Sequence, residues 1–195
     1  MHDPAWALTP AGLARVLGEV ERGRSAIVEC GSGASTITLA GALARRGGNG
    51  HLHSLEHDRD WHARTCAALE REGLSEFASM ILAPLRPHPL AGPAGWYDTA
   101  TLDRLPEAID LLLVDGPPGS LEPDGETRYP ALPLLAPLLA PGAIVVLDDI
   151  HRPGERAVLE RWGREHAIKF EPHQRERLAI GVFWGAQDPA TAGTS

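Results

Sequence analysis

Two apolar runs constrain the fold of this chain more than any other feature. Leu111-Leu112-Leu113-Val114 and Ala143-Ile144-Val145-Val146-Leu147 contain no polar residue, and each is closed by acid, Asp115 in the first case and Asp148-Asp149 in the second. A strand with one face in water alternates between apolar and polar residues. An unbroken apolar run is instead buried on both faces, as in a parallel sheet covered by helices.

The rest of the chain reads as the helices and strands such a sheet requires. Thr9-Pro10 ahead of Leu13, Val16, Leu17 and Val20 predicts a capped amphipathic helix within residues 1–24, ending near Gly23. Ile27 to Cys30 is the first strand, and Ser35 to Arg46 a helix stopped by Gly47-Gly48. His51 to Glu56 alternates as a second strand. Asp58 then caps a helix that carries Trp61, Thr65, Ala68 and Leu69 and closes near Gly73. Ala78 to Leu82 is a third strand. Pro84, Pro87, Pro89 and Pro93 make 83–108 a long irregular loop with a short helix near Thr99 to Leu105. Asp110 to Asp115 is the fourth strand. A second loop runs to Thr127, a helix is expected over Arg128 to Leu139 despite Pro133 and Pro137, and Ala143 to Asp148 is the fifth strand. A helix over Glu155 to His166 precedes two final strands, Ile168 to Glu171 and Leu178 to Trp184. Their connection, Pro172 to Arg177, is too short for a crossover helix, so they form an antiparallel hairpin. The expectation is an α/β chain with seven strands, mainly parallel, and helices on both faces. Residues 1–186 leave no room for a second domain, and the tail 187–195 is expected to be disordered.

Ligands in such sheets bind beyond the carboxyl ends of the strands. Four of those ends are acidic here: Glu29, Glu56, Asp115, and Asp148 with Asp149. Random loop acids would account for one or two. The first strand also runs into Glu29-Cys30-Gly31-Ser32-Gly33-Ala34-Ser35-Thr36, a glycine turn that lets backbone approach a ligand. A dinucleotide turn would read G-x-G-x-x-G. Here Thr36 stands at the third glycine position, and Glu29 precedes Gly31 by two residues, where it would crowd a pyrophosphate.

Charge and length exclude other partners. A net charge of −8 argues against nucleic acid and anionic membranes, both of which need a basic surface. No apolar run approaches the roughly 20 residues of a membrane span, and Met1-His2-Asp3-Pro4 lacks the regions of a signal peptide. Cys30 and Cys66 have neither metal nor redox spacing and read as reduced thiols in a cytoplasmic protein. The N-terminal helix and the apolar closing strand offer faces that a homodimer could use or that pack on the same chain.

With V-E-C-G-S-G-A-S-T after the first strand, L-E-H-D after the second, L-L-V-D-G-P-P-G at the fourth and I-V-V-L-D-D at the fifth, the chain resembles the class I S-adenosylmethionine-dependent methyltransferases over roughly Ile27 to Trp184. Within the class it looks most like small O-methyltransferases of the catechol type and their bacterial relatives. The resemblance implies a Rossmann-like, doubly wound seven-stranded sheet with an antiparallel last strand. It implies that Gly31, Ser32 and Gly33 approach the methionine part of S-adenosylmethionine, with Glu29 and Asp115 near its ammonium. Ser35 and Thr36 would meet its carboxylate at the positive end of a helix. Glu56 would take both ribose hydroxyls, with His57 beside the adenine.

The same resemblance implies a divalent cation, Mg²⁺ or a similar ion, held by Asp115, Asp148 and Asp149, which supply the oxygen ligands such ions prefer. One departure stands out. The catechol-type enzymes carry a lysine base after the fourth strand, where this chain has Pro117-Pro118, and its single lysine, Lys169, lies elsewhere. The base is then sought in His151, or in Asp148 or Asp149 without a metal, and Asp115, Asp148 and His151 are the expected catalytic residues. Trp96, Tyr97, Arg128 and Tyr129 are the expected lining of a small-molecule acceptor pocket. The leading reading is O-methylation. Metal-free N-methylation, a nicotinamide- or nucleotide-binding protein, and a non-catalytic cofactor-binding subunit are the alternatives.

Overall fold

The computed structural model describes residues 8–119 and 125–185. The tail expected to be disordered and part of the loop before Thr127 lie outside them. In chain order the elements are α1 (Pro10–Glu21), β1 (Ala26–Cys30), α2 (Ala34–Arg45), β2 (His51–Glu56), α3 (Arg59–Arg71), β3 (Ala78–Leu82), β4 (Leu85–Arg86), β5 (Trp96–Tyr97), β6 (Ile109–Val114), α4 (Ala131–Leu135), β7 (Leu139–Leu147), α5 (Pro153–Glu165), β8 (Glu171–His173) and β9 (Leu178–Phe183). Seven strands form one sheet in the order β3-β2-β1-β6-β7-β9-β8. β3, β2, β1, β6 and β7 run parallel, whereas β9 is antiparallel to both β7 and β8. The chain therefore has the doubly wound, mainly parallel sheet with an antiparallel last strand that its motifs imply.

The apolar runs divide by strand parity, because successive side chains of a strand point to opposite faces. Val28, Cys30, Leu112, Val114, Val145 and Leu147 pack with Leu132 and Leu135 of α4 and with Val158 and Trp162 of α5. Ile27, Leu111, Leu113 and Val146 face the other way, onto Val16 and Val20 of α1 and Leu39 and Leu43 of α2. Helix starts follow local chemistry: Thr9 Oγ1 accepts from Gly12 N at 3.0 Å at the head of α1, and Asp58 Oδ1 accepts from Trp61 N at 2.7 Å at the head of α3.

Four stretches depart from the sequence reading. Residues 83–108 hold the expected short helix, a 3₁₀ turn at Thr99–Arg104, but the stretch before it is not irregular: Leu85 pairs with Tyr97 and Arg86 with Trp96 in a short antiparallel ladder. The helix expected over Arg128 to Leu139 shrinks to α4 and a 3₁₀ turn at Ala136–Leu138, since Pro133 and Pro137 each lack the N–H that a longer helix requires. β7 begins four residues early, at Leu139. Its pairing with β6 shifts register between Ile109 and Leu111, and Pro141-Gly142 takes up the slack with Gly142 at φ +83°. The penultimate strand starts at Glu171 rather than Ile168. Ile168 and Phe170 lie across Gly181, where a Cβ would collide with Ile168 and stand 2.8 Å from the Phe170 ring, so the two side chains pack over β9 before the backbone can pair with it.

Candidate active site

The carboxyl ends of β1, β2, β6 and β7 form one rim. The chain leaves each strand still bonded to its neighbour: Gly31 N donates to Leu55 O at 2.9 Å, Asp115 N to Cys30 O at 3.0 Å and Asp148 N to Val114 O at 3.0 Å. Gly31 takes φ +91°, and a Cβ there would stand 3.2 Å from Gly116 N. Two loops therefore touch backbone to backbone at the centre of the rim, which only glycine permits.

Glu29 lies beneath this turn and is completely buried. Its carboxylate accepts from the hydroxyls of Ser35, Thr36 (2.6 Å) and Ser54 (2.9 Å). Ser54 is its partner in the β1–β2 register, so parallel pairing itself brings the third hydroxyl to the acid. Burial raises the Glu29 pKa to about 7, against the lowering by the three hydroxyls. With the Ser35 and Thr36 side chains turned inward, the backbone amides at the start of α2 are what that helix presents to a ligand. Thr36 Oγ1 also accepts from Gly33 N at 2.9 Å, closing the turn.

Glu56, 3% exposed, ends β2. Its Oε2 accepts from Ser32 Oγ at 2.7 Å and Ser32 N at 3.1 Å, and its Oε1 from Asp58 N at 2.9 Å, with His57 Nδ1 at 3.0 Å. Burial acts to raise its pKa, but the bonds from His57, the Asp58 backbone and Ser32 prevail and hold it below the ordinary carboxylate value. Trp61 Nε1 donates to Ser32 O at 2.6 Å, so the indole seals the turn from the side of α3. Ser54 and Trp61 were not singled out from sequence. Ser54 had a signal, a small hydroxyl two residues before Glu56 and so on the same side of the strand, whereas Trp61 reads as one more apolar helix position.

Asp115, Asp148 and Asp149 meet on the other half of the rim, where one carboxylate oxygen of each lies within 4.8 Å of the others. Arg128, 2% exposed, reaches into this cluster. Its NH2 donates to Asp149 Oδ2 at 3.0 Å and Asp115 Oδ1 at 3.4 Å, its NH1 to Asp148 O at 3.1 Å and its Nε to Pro117 O at 3.3 Å. Arg152 NH1 lies 2.9 Å from the same Asp149 oxygen, and Glu155 Oε1 stands 3.8 Å from Arg128 Nε. Burial opposes the Arg128 charge, but Asp115, Asp149, Glu155 and Asp148 outweigh it and raise the pKa further. Asp115 is held well above the carboxylate range by burial, and by Asp148, Asp149 and Glu29 against Arg128. Burial and Asp149 push Asp148 up to about 6. Asp148 Oδ1 is buried without a donor among the described residues.

The other expected site residues fall in three places. His57 braces Glu56. Burial, helped by Arg177, Arg152 and Arg128, lowers the proton affinity of His151 against the pull of Asp149; its side chain is 45% exposed, with Nδ1 3.9 Å from Asp149 Oδ1. It stands at the edge of the cluster rather than within it. Trp96 and Tyr97 are buried, in edge-to-face contact at 4.9 Å. The Tyr97 hydroxyl is aimed at the Gly31–Gly116 contact, has no hydrogen-bond partner among the described residues, and would collide with a Cβ on Gly116. Tyr129 turns away: its hydroxyl donates to Glu165 Oε2 at 2.6 Å, and the Arg161 guanidinium carbon lies 3.4 Å from its ring centroid. Of the four residues expected to line an acceptor pocket, Arg128 and Tyr97 border the rim, while Trp96 and Tyr129 pack into the core.

The family model described as a methyltransferase domain matches residues 28–150, the span from the middle of β1 to just past Asp149. No curated protein sequence matches the chain. Among solved structures, an O-methyltransferase from Bacillus cereus in complex with SAH is 16% identical with a TM-score of 0.65, the match covering 92% of this chain and 84% of that one. A putative O-methyltransferase from Klebsiella pneumoniae is 20% identical with a TM-score of 0.66, covering 94% and 84%. A putative caffeoyl-CoA O-methyltransferase from Staphylococcus aureus is 10% identical with a TM-score of 0.67, covering 91% and 85%. At such identities these likenesses concern the fold.

Proposed function

The chain belongs to the methyltransferase-domain family, and from that premise we propose that it transfers the methyl group of S-adenosylmethionine to a hydroxyl oxygen of a small-molecule acceptor. The observation that carries the reading is the pair of buried carboxylates on either side of the Gly31 turn, each already held by hydrogen-bond donors. Glu29 gathers the hydroxyls of Ser35, Thr36 and Ser54, and Glu56 is fixed by Ser32, His57 and the Asp58 amide. The Gly31–Gly116 contact is a place where a side chain would fill the approach, and the Tyr97 hydroxyl points into it without a partner among the described residues. These residues suit a ligand that carries an amino acid at one end and a ribose at the other.

When bound, S-adenosylmethionine supplies an electrophilic methyl carbon on a sulfonium. The remaining work belongs to the chain. Backbone amides at the start of α2 meet a carboxylate, favoured by the positive helix end. Glu29 keeps the two hydroxyls of that first turn out of the way and Asp115 borders the ammonium. Glu56 exchanges its bond from the Ser32 hydroxyl for the ribose diol, while His57 and the Asp58 amide hold its orientation. The acceptor oxygen attacks the methyl carbon as the carbon–sulfur bond breaks, and the acceptor proton passes to Asp148, whose Oδ1 lacks a donor among the described residues. Rate then depends mainly on holding acceptor and methyl group in line.

Asp115, Asp148 and Asp149 have the donor chemistry of a site for Mg²⁺, but as arranged they surround Arg128.

The reading is tested by calorimetry with S-adenosylhomocysteine and, separately, NAD, followed by a methyl-transfer screen across alcohols, phenols and amines. Binding of S-adenosylhomocysteine with product on a hydroxyl acceptor is expected. NAD binding in its place would remove the cofactor assignment, and product only on amines would move the reaction to nitrogen.

A further inference from the structure

We propose that the guanidinium of Arg128 is the resident cation of the Asp115–Asp148–Asp149 cluster, so that this site works without a divalent metal. The inference deepens the methyl-transfer reading and rests on it.

The geometry leaves little for a metal to take. Asp149 Oδ2 accepts from Arg128 NH2 at 3.0 Å and lies 2.9 Å from Arg152 NH1, so one candidate ligand atom already faces two guanidinium groups. Asp115 Oδ1 faces the same NH2 at 3.4 Å, and the Asp148 carbonyl faces NH1 at 3.1 Å. The carboxylates of Asp115, Asp149 and Glu155 are met by two fixed positive charges, Arg128 and Arg152, while Asp148 meets Arg128 through its main-chain carbonyl. A divalent ion entering this cluster would stand against a buried like charge in a poorly screened environment.

Arg128 is also anchored from behind. Trp162 Nε1 donates to Tyr129 O at 2.9 Å, Tyr129 OH donates to Glu165, and Arg161 lies on the Tyr129 ring while pairing with Glu126 at 2.5 Å. These contacts pin the Arg128–Tyr129 backbone to α5, so the guanidinium enters the cluster from a fixed base. A planar fork with separate donors reaches two carboxylates and two carbonyls at once, which a lysine ammonium could not do in the same plane. Arg128 is then a positioning residue: it orients Asp115 and Asp149 and leaves Asp148 Oδ1 buried without a donor among the described residues.

The test is Mn²⁺ titration followed by electron paramagnetic resonance, with the full chain as wild type, Arg128→Met and Arg128→Met/Asp115→Asn. The readout does not depend on turnover, so an outcome here is distinct from failure of S-adenosylhomocysteine binding. Wild type should leave the free Mn²⁺ signal unchanged to millimolar metal, and methyl transfer should survive EDTA. Removing the guanidinium should tighten Mn²⁺ binding by about tenfold or more as the repulsion is lifted, and the second substitution should abolish the gain. Tight Mn²⁺ binding by wild type, or a folded Arg128→Met that takes no Mn²⁺, would overturn the proposal. If Arg128→Met does not fold, the wild-type titration decides alone.

Discussion

Glu29→Gln should remove a pH dependence of stability that the wild-type chain carries between mildly acidic and neutral conditions. Burial raises the Glu29 pKa from an ordinary 4.5 to about 7, against the hydroxyls of Ser35, Thr36 and Ser54. Below 4.5 the group is protonated both folded and unfolded and has no effect on the balance. Between 4.5 and 7 the unfolded chain has released the proton while the folded chain retains it, so stability falls as pH rises and levels off above the folded pKa. At about 1.4 kcal/mol for each tenfold change in proton affinity, the full loss is at most about 3 kcal/mol. For a chain of this length that is about 6 to 12 °C in melting temperature. Glutamine is neutral throughout and accepts from two of the three hydroxyls. It therefore costs about 1 kcal/mol relative to the protonated acid, but it does not titrate. Urea unfolding followed by tryptophan fluorescence, at about pH 5 and about pH 8, gives the comparison as a double difference. Asp148 titrates in both proteins and cancels, while the part of the Asp115 shift that Glu29 supplies is lost with Glu29 and adds to the same difference. The wild-type chain should lose more stability than Glu29→Gln across that interval. Parallel curves for the two proteins would refute the reasoning and mean that Glu29 is ionised at the bottom of the folded core.

Glu56→Ala removes the carboxylate proposed to take the ribose and should weaken S-adenosylhomocysteine binding by about ten- to a hundredfold, at about 1.5–3 kcal/mol for bonds to a charged group. Unchanged affinity in calorimetry would mean that the ribose lies elsewhere. Gly116→Ala places a Cβ against the Tyr97 hydroxyl and 3.0 Å from Gly31 Cα, and should lower stability by about 1–3 kcal/mol through overpacking and weaken the cofactor. Adding Tyr97→Phe removes the colliding oxygen, which has no partner among the described residues, and should recover part of the urea midpoint; no recovery would show that the Gly31 backbone sets the limit instead.

Much of the fold could be read from the order of residues because it follows from local periodicity. Unbroken apolar runs specify two-sided burial, helical spacing specifies one-sided burial, and glycines and Asp58 mark the ends. The elements misjudged are those where tertiary packing overrides local pattern. Leu85–Arg86 and Trp96–Tyr97 are too short to have a period and become strands only by pairing with each other. Ile168 and Phe170 alternate like strand residues, but they pack across Gly181 instead of pairing.

The candidate site divides in the same way. Which acids share the rim was determined by the sequence, since an acid at the carboxyl end of each parallel strand must arrive at the same edge of the sheet. What each acid does there was decided by tertiary structure. Parallel register places Ser54 beside Glu29, and packing of Tyr129 against α5 drives Arg128 into the aspartate cluster across a loop whose length conceals the approach. Residues distant in sequence set the charge balance of that cluster, because only the folded chain brings their charges within range of one another in a medium that screens them poorly.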